Sequence, residues 1–139
     1  MSVESDLENG FISLVDQIQY IIDNGINTSN YGDNSIEVNP PAVIVNCNPV
    51  RRIEPNDKYY ECETDFICFT YIEDDKARTQ LKAIQSEIFD FARLLLPATI
   101  GTESGLTVDG LVMDDSGEQE RDDHNNYITV KLKVYLTII

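Results

Sequence analysis

The stretch NYITVKLKVYLTII (126–139) constrains the fold more than any other, because its apolar and polar side chains alternate without a break. Alternation with a period of two is typical of a β-strand that buries one face. One face carries the apolar set Ile128, Val130, Leu132, Val134, Leu136 and Ile138. The other face carries Tyr127, Thr129, Lys131, Lys133, Tyr135 and Thr137. We therefore expect a long strand with an apolar face toward the core and a polar face away from it.

A second long strand is predicted at YYECETDFICFTYI (59–72). One of its faces presents Tyr60, Cys62, Thr64, Phe66, Cys68, Thr70 and Ile72. The opposite face changes along its length: Tyr59, Glu61, Glu63 and Asp65 come first, followed by Ile67, Phe69 and Tyr71. The acidic half therefore faces solvent, whereas the apolar half needs a cover. A second layer of the same chain or a neighbouring subunit would supply it.

Shorter patterns complete the element order. AVIVNCN (42–48) and GLTVDGLVM (105–113) predict two more strands, the latter with a bulge at Gly110. A first helix is predicted from Ser5 to Asn24, with Ser5 and Glu8 as a capping box and Gly25 as its stop. Its apolar residues recur at spacings of three and four, as do those of a second helix. That second helix runs from Asp74 or Asp75 to Leu96.

These elements predict a single α+β domain over residues 1–139. Two long strands joined by turns indicate an antiparallel arrangement. We expect a four-stranded antiparallel sheet with two helices on one face, in the order α-β-β-α-β-β. Two mobile loops are predicted, at about 25–41 and 114–126, because both stretches are rich in polar and turn-forming residues.

The charge of the chain limits its partners. Acids outnumber bases by 25 to 10, which gives a formal net charge of −15. Such a surface repels nucleic-acid phosphates and anionic membranes, although DNA that must slide past without sticking stays compatible with it. The sequence shows no membrane span and no secretory signal, so an intracellular origin is expected.

The three cysteines, Cys47, Cys62 and Cys68, fit that expectation. Their number is odd and no CxxC spacing occurs. Cys62 and Cys68 lie roughly 20 Å apart along one strand, beyond the reach of a disulfide. We interpret all three as small buried hydrophobic residues.

The stretch DDSGEQERDDHNN (114–126) combines six acids with Arg121 and His124, the single histidine. The acids do not fit an EF-hand register, and His124 has no partner for a zinc site. Catalysis by His124 would need a nucleophile, and no nucleophile elbow or phosphate-binding glycine motif occurs. The stretch is therefore interpreted as a solvated hairpin loop, with weak calcium binding as the alternative. We predict no enzyme activity, no metal site and no cofactor.

The element order and chain endings resemble the tail terminator, or tail completion, proteins of tailed bacteriophages. The resemblance lies in a Pro-preceded strand (NPPAVIVNCNP), a long strand leading into a helix that opens with acids (EDDKARTQLKAIQSEIFDFARLLL), and a closing strand (NNYITVKLKVYLTI). It covers most of the chain but no signature motif. It implies a structural virion protein, found in the tail or neck, that forms a homo-oligomeric ring, commonly a hexamer. Such a ring ends the tail tube, joins it to the head connector or neck protein, and lets DNA pass through its lumen.

Two sets of residues become candidates on this resemblance. The subunit interface would use Ile67, Phe69, Tyr71, Arg51, Arg52, Lys131 and Lys133, with ordinary surface charge as the alternative for the bases. An acidic lumen or loop would use Glu61, Glu63, Asp65, Asp114, Asp115, Glu118, Glu120, Asp122 and Asp123. Two other functions stay open: an acidic binding module or DNA-mimic inhibitor, and a small enzyme using carboxylates.

Overall fold

The computed structural model describes residues 3–30, 41–53, 59–71, 77–94, 98–99, 106–115, 120–121 and 125–138. The helices are α1 (Val3–Val15), α2 (Gln19–Asp23) and α3 (Ala77–Leu94). The strands are β1 (Asn27–Asn30), β2 (Ala42–Cys47), β3 (Arg51–Arg52), β4 (Tyr59–Tyr71), β5 (Ala98–Thr99), β6 (Leu106–Asp115), β7 (Glu120–Arg121) and β8 (Asn125–Ile138). The protein is thus an α+β protein, as its sequence predicts.

The described strands form one sheet in the order β1-β2-β4-β8-β6-β5, with β3 paired to β4 and β7 paired to β8. The two long strands, β4 and β8, lie next to each other at its centre and pair antiparallel from Tyr59↔Thr137 to Tyr71↔Asn125. Strand β6 follows β8 on the other side, and its register shifts between Val108 and Gly110, at the predicted bulge. The long period-two patterns therefore locate the middle of the sheet.

The prediction of a purely antiparallel four-stranded sheet is wrong at β1. This strand, Asn27–Asn30, lies inside the predicted loop 25–41 and pairs parallel with β2. Its sequence, NTSN, shows no apolar alternation. An edge strand does not need one, because backbone hydrogen bonds to its one neighbour can hold it in the sheet. The sheet is consequently mixed, and the predicted order α-β-β-α-β-β omits several short elements. Residues 31–40 of the predicted loop lie outside the described residues.

The predicted first helix is interrupted. Helix α1 ends at Val15, the amides of Gln17 and Ile18 then bond three residues back, and Ile18 is extended before α2 begins. Asp16, at the break, accepts a hydrogen bond from the Thr28 hydroxyl of β1. The break therefore coincides with the attachment of β1, which the helical periodicity does not reveal. Gly25 ends α2 in the left-handed region (φ 59°), as predicted.

One hydrophobic core lies between the helices and one face of the sheet, which we call the inner face. Every predicted inward residue of β8 from Ile128 to Leu136 is buried there, as are the alternate residues of β4 from Cys62 to Thr70. The helices contribute Leu7, Phe11, Val15, Ile21, Leu81, Ile84 and Ile88. The rings of Phe11 and Phe66 meet edge to face, with centroids 5.5 Å apart. All three helices thus pack on the inner face.

Candidate interaction surface

The opposite side of the sheet, the outer face, carries nearly all the sequence-predicted site residues that the structure describes. By strand alternation it presents side chains from three strands, and none of the described helices packs its buried stripe there. The side chains that the outer face presents from β2, β4 and β8 are Ile44, Asn46, Glu61, Glu63, Asp65, Ile67, Phe69, Tyr127, Thr129, Lys131, Lys133 and Tyr135. The predicted change of character along β4 divides this face into a charged half and an apolar half.

The charged half of the outer face consists of acids on β4 placed beside bases on neighbouring strands. Glu63 is paired with Lys133, and Asp65 with Lys131, in the register of β4 and β8. Side chains at directly opposed positions have Cβ atoms about 5 Å apart, so each acid lies within the field of one base. Three acids and three bases share this region, which we call the charged band: Arg51, Glu61, Glu63, Asp65, Lys131 and Lys133.

Arg51 and Glu61 extend the charged band onto β3. The two residues are paired across β3 and β4, and the Arg51 guanidinium donates to a carboxylate oxygen of Glu61 at 2.5 Å. The Arg51 side chain is 67% exposed, so the pair is screened by solvent and contributes little to stability. Its neighbour Arg52 pairs instead with Tyr60 and points to the other side of β3. Arg52 therefore lies outside the charged band.

The apolar half of the outer face is formed by Ile44, Ile67 and Phe69, which we call the apolar patch. Ile44 lies beside Ile67 across β2 and β4, and Phe69 lies beside Tyr127 across β4 and β8. All three apolar residues are half-buried rather than enclosed. For Tyr71 the structure gives only the strand position, opposite Asn125. Val112 on β6 is 52% exposed but lies opposite Lys133, beside the charged band and outside the apolar patch.

The acidic stretch 114–126 contains more strand than its sequence indicates. Strand β6 continues through Asp115, which pairs with Lys131, and β7 pairs Glu120 with Tyr127. For Asp114 and Asp115 only the strand positions are described, and the side chain of Glu120 is exposed. Glu118, Asp122, Asp123 and His124 lie outside the described residues. Within the described residues, no group of three histidine, cysteine or acidic side chains is arranged to hold a metal ion.

The structure groups the acids and bases differently from the prediction made from the sequence. From the sequence, Glu61, Glu63 and Asp65 are expected in an acidic lumen or loop, and Lys131, Lys133 and Arg51 in a subunit interface. The register interleaves these residues in one charged band, which Asp115 of β6 borders opposite Lys131. These acids and bases therefore form one mixed surface, which depends on the register of β4 against β8.

Two carboxylates of α1 serve the core side of the sheet. Glu8, predicted as part of a capping box, lies within α1, where it is buried and accepts the Cys47 amide hydrogen at Oε2 over 2.7 Å. Glu4 accepts from the Val50 amide over 3.1 Å. Burial raises the pKa of Glu8, and the Cys47 amide opposes this by donating to the carboxylate. The capping-box prediction is wrong because Glu8 satisfies the end of β2, not its own helix.

A pair of thiols lies beside Glu8, between β2 and β4. Cys47 Sγ and Cys62 Sγ are each 3.6 Å from the Thr64 hydroxyl, and the Cys62 thiol donates to the Asn48 carbonyl over 3.1 Å. Hydrogen bonding between the two thiols raises the pKa of Cys47 and lowers the pKa of Cys62. Burial adds to the rise at Cys47 and partly opposes the fall at Cys62. All three cysteines are buried and free, as predicted. The third, Cys68, has a pKa raised to about 12 by burial alone.

The sequence alone does not show that Cys47 and Cys62 lie together. Cys47 ends β2 and is paired with Thr64, two residues from Cys62 on the same side of β4. The sequence offers one indication of this contact, the positions of the two cysteines. Cys47 ends one strand, and Cys62 lies near the start of the next long strand. Antiparallel pairing of such strands brings these two ends together, but the register decides whether the cysteines meet.

Neither the models of known protein families nor the curated proteins compared with this chain give a match. No helix in the described part of the chain combines the length and the apolar character needed to cross a membrane.

Proposed function

We propose that this chain is a structural virion protein whose copies assemble into a ring, a hexamer, at the end of a phage tail tube. The ring ends the tube, joins it to the head connector or neck protein, and lets DNA pass through its lumen. The observation that carries the proposal is the outer face, where an apolar patch adjoins a charged band in which acids and bases are interleaved. None of the described helices packs its buried stripe on this face, where Ile44, Ile67 and Phe69 are half-buried.

Charge balance matters because the copies are strongly acidic. Two chains with a net charge of −15 repel each other, and the repulsion is smallest where the contacting surfaces carry bases beside their acids. The charged band is such a surface, and its bases can pair with acids of a neighbouring copy. Ile44, Ile67 and Phe69 would supply the apolar centre of the contact, where burial contributes most of the binding free energy.

A closed ring also needs a second, different surface on each subunit. Two exposed apolar side chains of the helical layer are candidates for it: Ile22 on α2 is 57% exposed, and Phe89 on α3 is 37% exposed. The lumen would then be lined from the stretch 114–123, since the acids of the charged band face bases. Within that stretch, the structure describes the side chain of Glu120 on β7, which is exposed.

The alternative of a DNA mimic is less well supported. A DNA mimic presents acids in an array that resembles phosphates, and bases among them would weaken its attraction to a nucleic-acid-binding protein. In the charged band every acid of β4 has a base beside it. An acidic binding module of another kind would remain monomeric, which the same experiment detects.

The test is the molar mass of the chain by light scattering after size exclusion, with negative-stain images of the same peak. The expected result is a mass near six subunits and ring-shaped particles. The variant Ile67→Lys should lower the mass to that of a monomer. Thr79→Lys, which adds the same charge at an exposed position of α3 about 15 Å along the helix from Phe89, should leave the rings intact. A monomer at all concentrations, with or without added tail tube protein, would refute the proposal.

A further inference from the structure

We infer that Cys47 and Cys62 form a redox-sensitive pair that a hydroperoxide converts into a disulfide joining β2 to β4. The inference rests on placement: the two sulfurs contact the same Thr64 hydroxyl from neighbouring strands. It differs from the expectation of three inert buried thiols, and it does not depend on the proposed function.

The two cysteines are slightly too far apart for a disulfide in the reduced chain. Cys47 is paired with Thr64, so Cys62 stands diagonally across from it on the same face. Diagonal residues of antiparallel strands have Cα atoms about 7–8 Å apart, beyond the usual disulfide range of about 4.4–6.8 Å. The sulfur–sulfur bond therefore requires the end of β2 to move toward β4. Cys47 is the last residue of β2, where its amide donates to the Glu8 carboxylate and the following amide, of Asn48, donates to the Glu63 carbonyl. This end of β2 therefore moves only when those two hydrogen bonds loosen.

The chemistry requires one thiolate and one proton donor, and the pair supplies both. Hydrogen bonding by Cys47 lowers the pKa of the Cys62 thiol, and the Thr64 hydroxyl also donates to its sulfur. Cys62 is therefore the nucleophile once its thiol gives up the hydrogen bond to the Asn48 carbonyl. Its thiolate attacks one peroxide oxygen, which gives a sulfenic acid and, after protonation, one molecule of water or alcohol. The Cys47 sulfur then attacks the Cys62 sulfur, and the hydroxyl leaves as water with the proton of Cys47. Two thiols are oxidised, and one peroxide is reduced.

The third cysteine provides a matched control within the chain. Cys68 lies on β4 in the hydrophobic core and is fully buried like Cys62, but its thiol donates to the carbonyl of Phe66. In an unfolded chain the loop between Cys62 and Cys68 is much shorter than the loop between Cys47 and Cys62, so unfolded chains favour the 62–68 bridge. The folded chain should instead select the 47–62 bridge.

The experiment treats the reduced, folded chain with hydrogen peroxide, removes excess peroxide with catalase, then denatures and alkylates the remaining thiols. Intact mass and peptide mapping should show a loss of about 2 Da, one alkylated cysteine and a linked peptide containing Cys47 and Cys62. Cys68→Ser should behave like the parent chain, whereas Cys47→Ser and Cys62→Ser should give no intramolecular bridge.

A parallel sample at a urea concentration just below the unfolding transition tests access to the buried sulfurs. The 47–62 bridge should form faster there but remain the dominant product. Three free thiols in both samples would overturn the inference, as would a dominant bridge to Cys68 or oxidation of Cys62 to a stable sulfinic acid without a bridge.

Discussion

Replacement of Glu8 tests how α1 is joined to the sheet. The buried Glu8 carboxylate accepts the Cys47 amide hydrogen over 2.7 Å. In Glu8→Ala that amide stays buried without its acceptor, which costs about 1–3 kcal/mol. The lost methylene group adds about 0.8 kcal/mol, and relief from burying a carboxylate returns part of this. We expect a net loss of about 2 kcal/mol in the free energy of unfolding for Glu8→Ala, and less than about 1 kcal/mol for Glu8→Gln, which retains a carbonyl acceptor.

The same residue predicts a pH dependence. Burial raises the pKa of Glu8 above its usual 4.5 in the folded chain, so the folded state binds the proton more tightly than the unfolded state. Stability from this group is fully present below the unfolded pKa and is lost as the pH rises through the folded pKa. The advantage of the parent chain over Glu8→Gln should therefore shrink as the pH rises above 4.5, the ordinary pKa of this carboxyl.

Urea unfolding followed by tyrosine fluorescence measures both effects, since the chain has seven tyrosines and no tryptophan. The matched control is Glu87→Gln on α3, which removes a carboxylate that is only half-buried. Equal stability of the alanine and glutamine variants would refute the reasoning, because the Cys47 amide would then have no need of an acceptor at position 8. An advantage that grows with pH would contradict the direction of the pKa shift.

Three further perturbations address the core, the turn and the outer face. Phe66→Ala removes a fully buried ring that meets Phe11 edge to face and should cost about 3–5 kcal/mol in urea unfolding; a loss below about 1 kcal/mol would contradict the packing. Gly25→Ala meets no atom within 4 Å but must adopt φ +59°, so it should cost about 1 kcal/mol, and Gly25→Asn should cost less. Lys131→Glu and Lys133→Glu together should leave the thermal midpoint within a few degrees but convert rings to monomers in size exclusion; intact rings would exclude the charged band from the interface.

The sequence predicts those parts of the fold in which the periodic apolar residues are also the residues that pack in the core. The alternation of Ile128 to Leu136 defines the inner face of β8, and the stripe Leu81, Ile84 and Ile88 defines that of α3. Strand β1 escapes prediction because NTSN is held by pairing with β2 and not by burial of its own apolar side chains. Likewise, the break after Val15 follows from the attachment of Asp16 to Thr28, a contact between separate elements.

The candidate surface likewise combines a feature that the sequence shows with one that depends on strand register. The change of character between Asp65 and Ile67 is visible in the sequence, and it does separate the charged band from the apolar patch. The balance of the band depends on which lysine of β8 stands beside which acid of β4, and a shift by one residue would remove it. The contact of Cys47 with Cys62 depends in the same way on the register of β2 against β4.

The central position of β8 also has a consequence for synthesis. Strand β8 lies between β4 and β6, yet it follows both in the chain, and the ribosome makes residues 1–124 first. Until β8 emerges, the nascent chain lacks the middle strand of its sheet, so Phe66, Cys68 and Ile88 lose the neighbours that bury them. Contacts this distant in sequence also form slowly. The unfinished chain thus exposes apolar surface for as long as translation lasts, and its net negative charge opposes the association of neighbouring nascent chains.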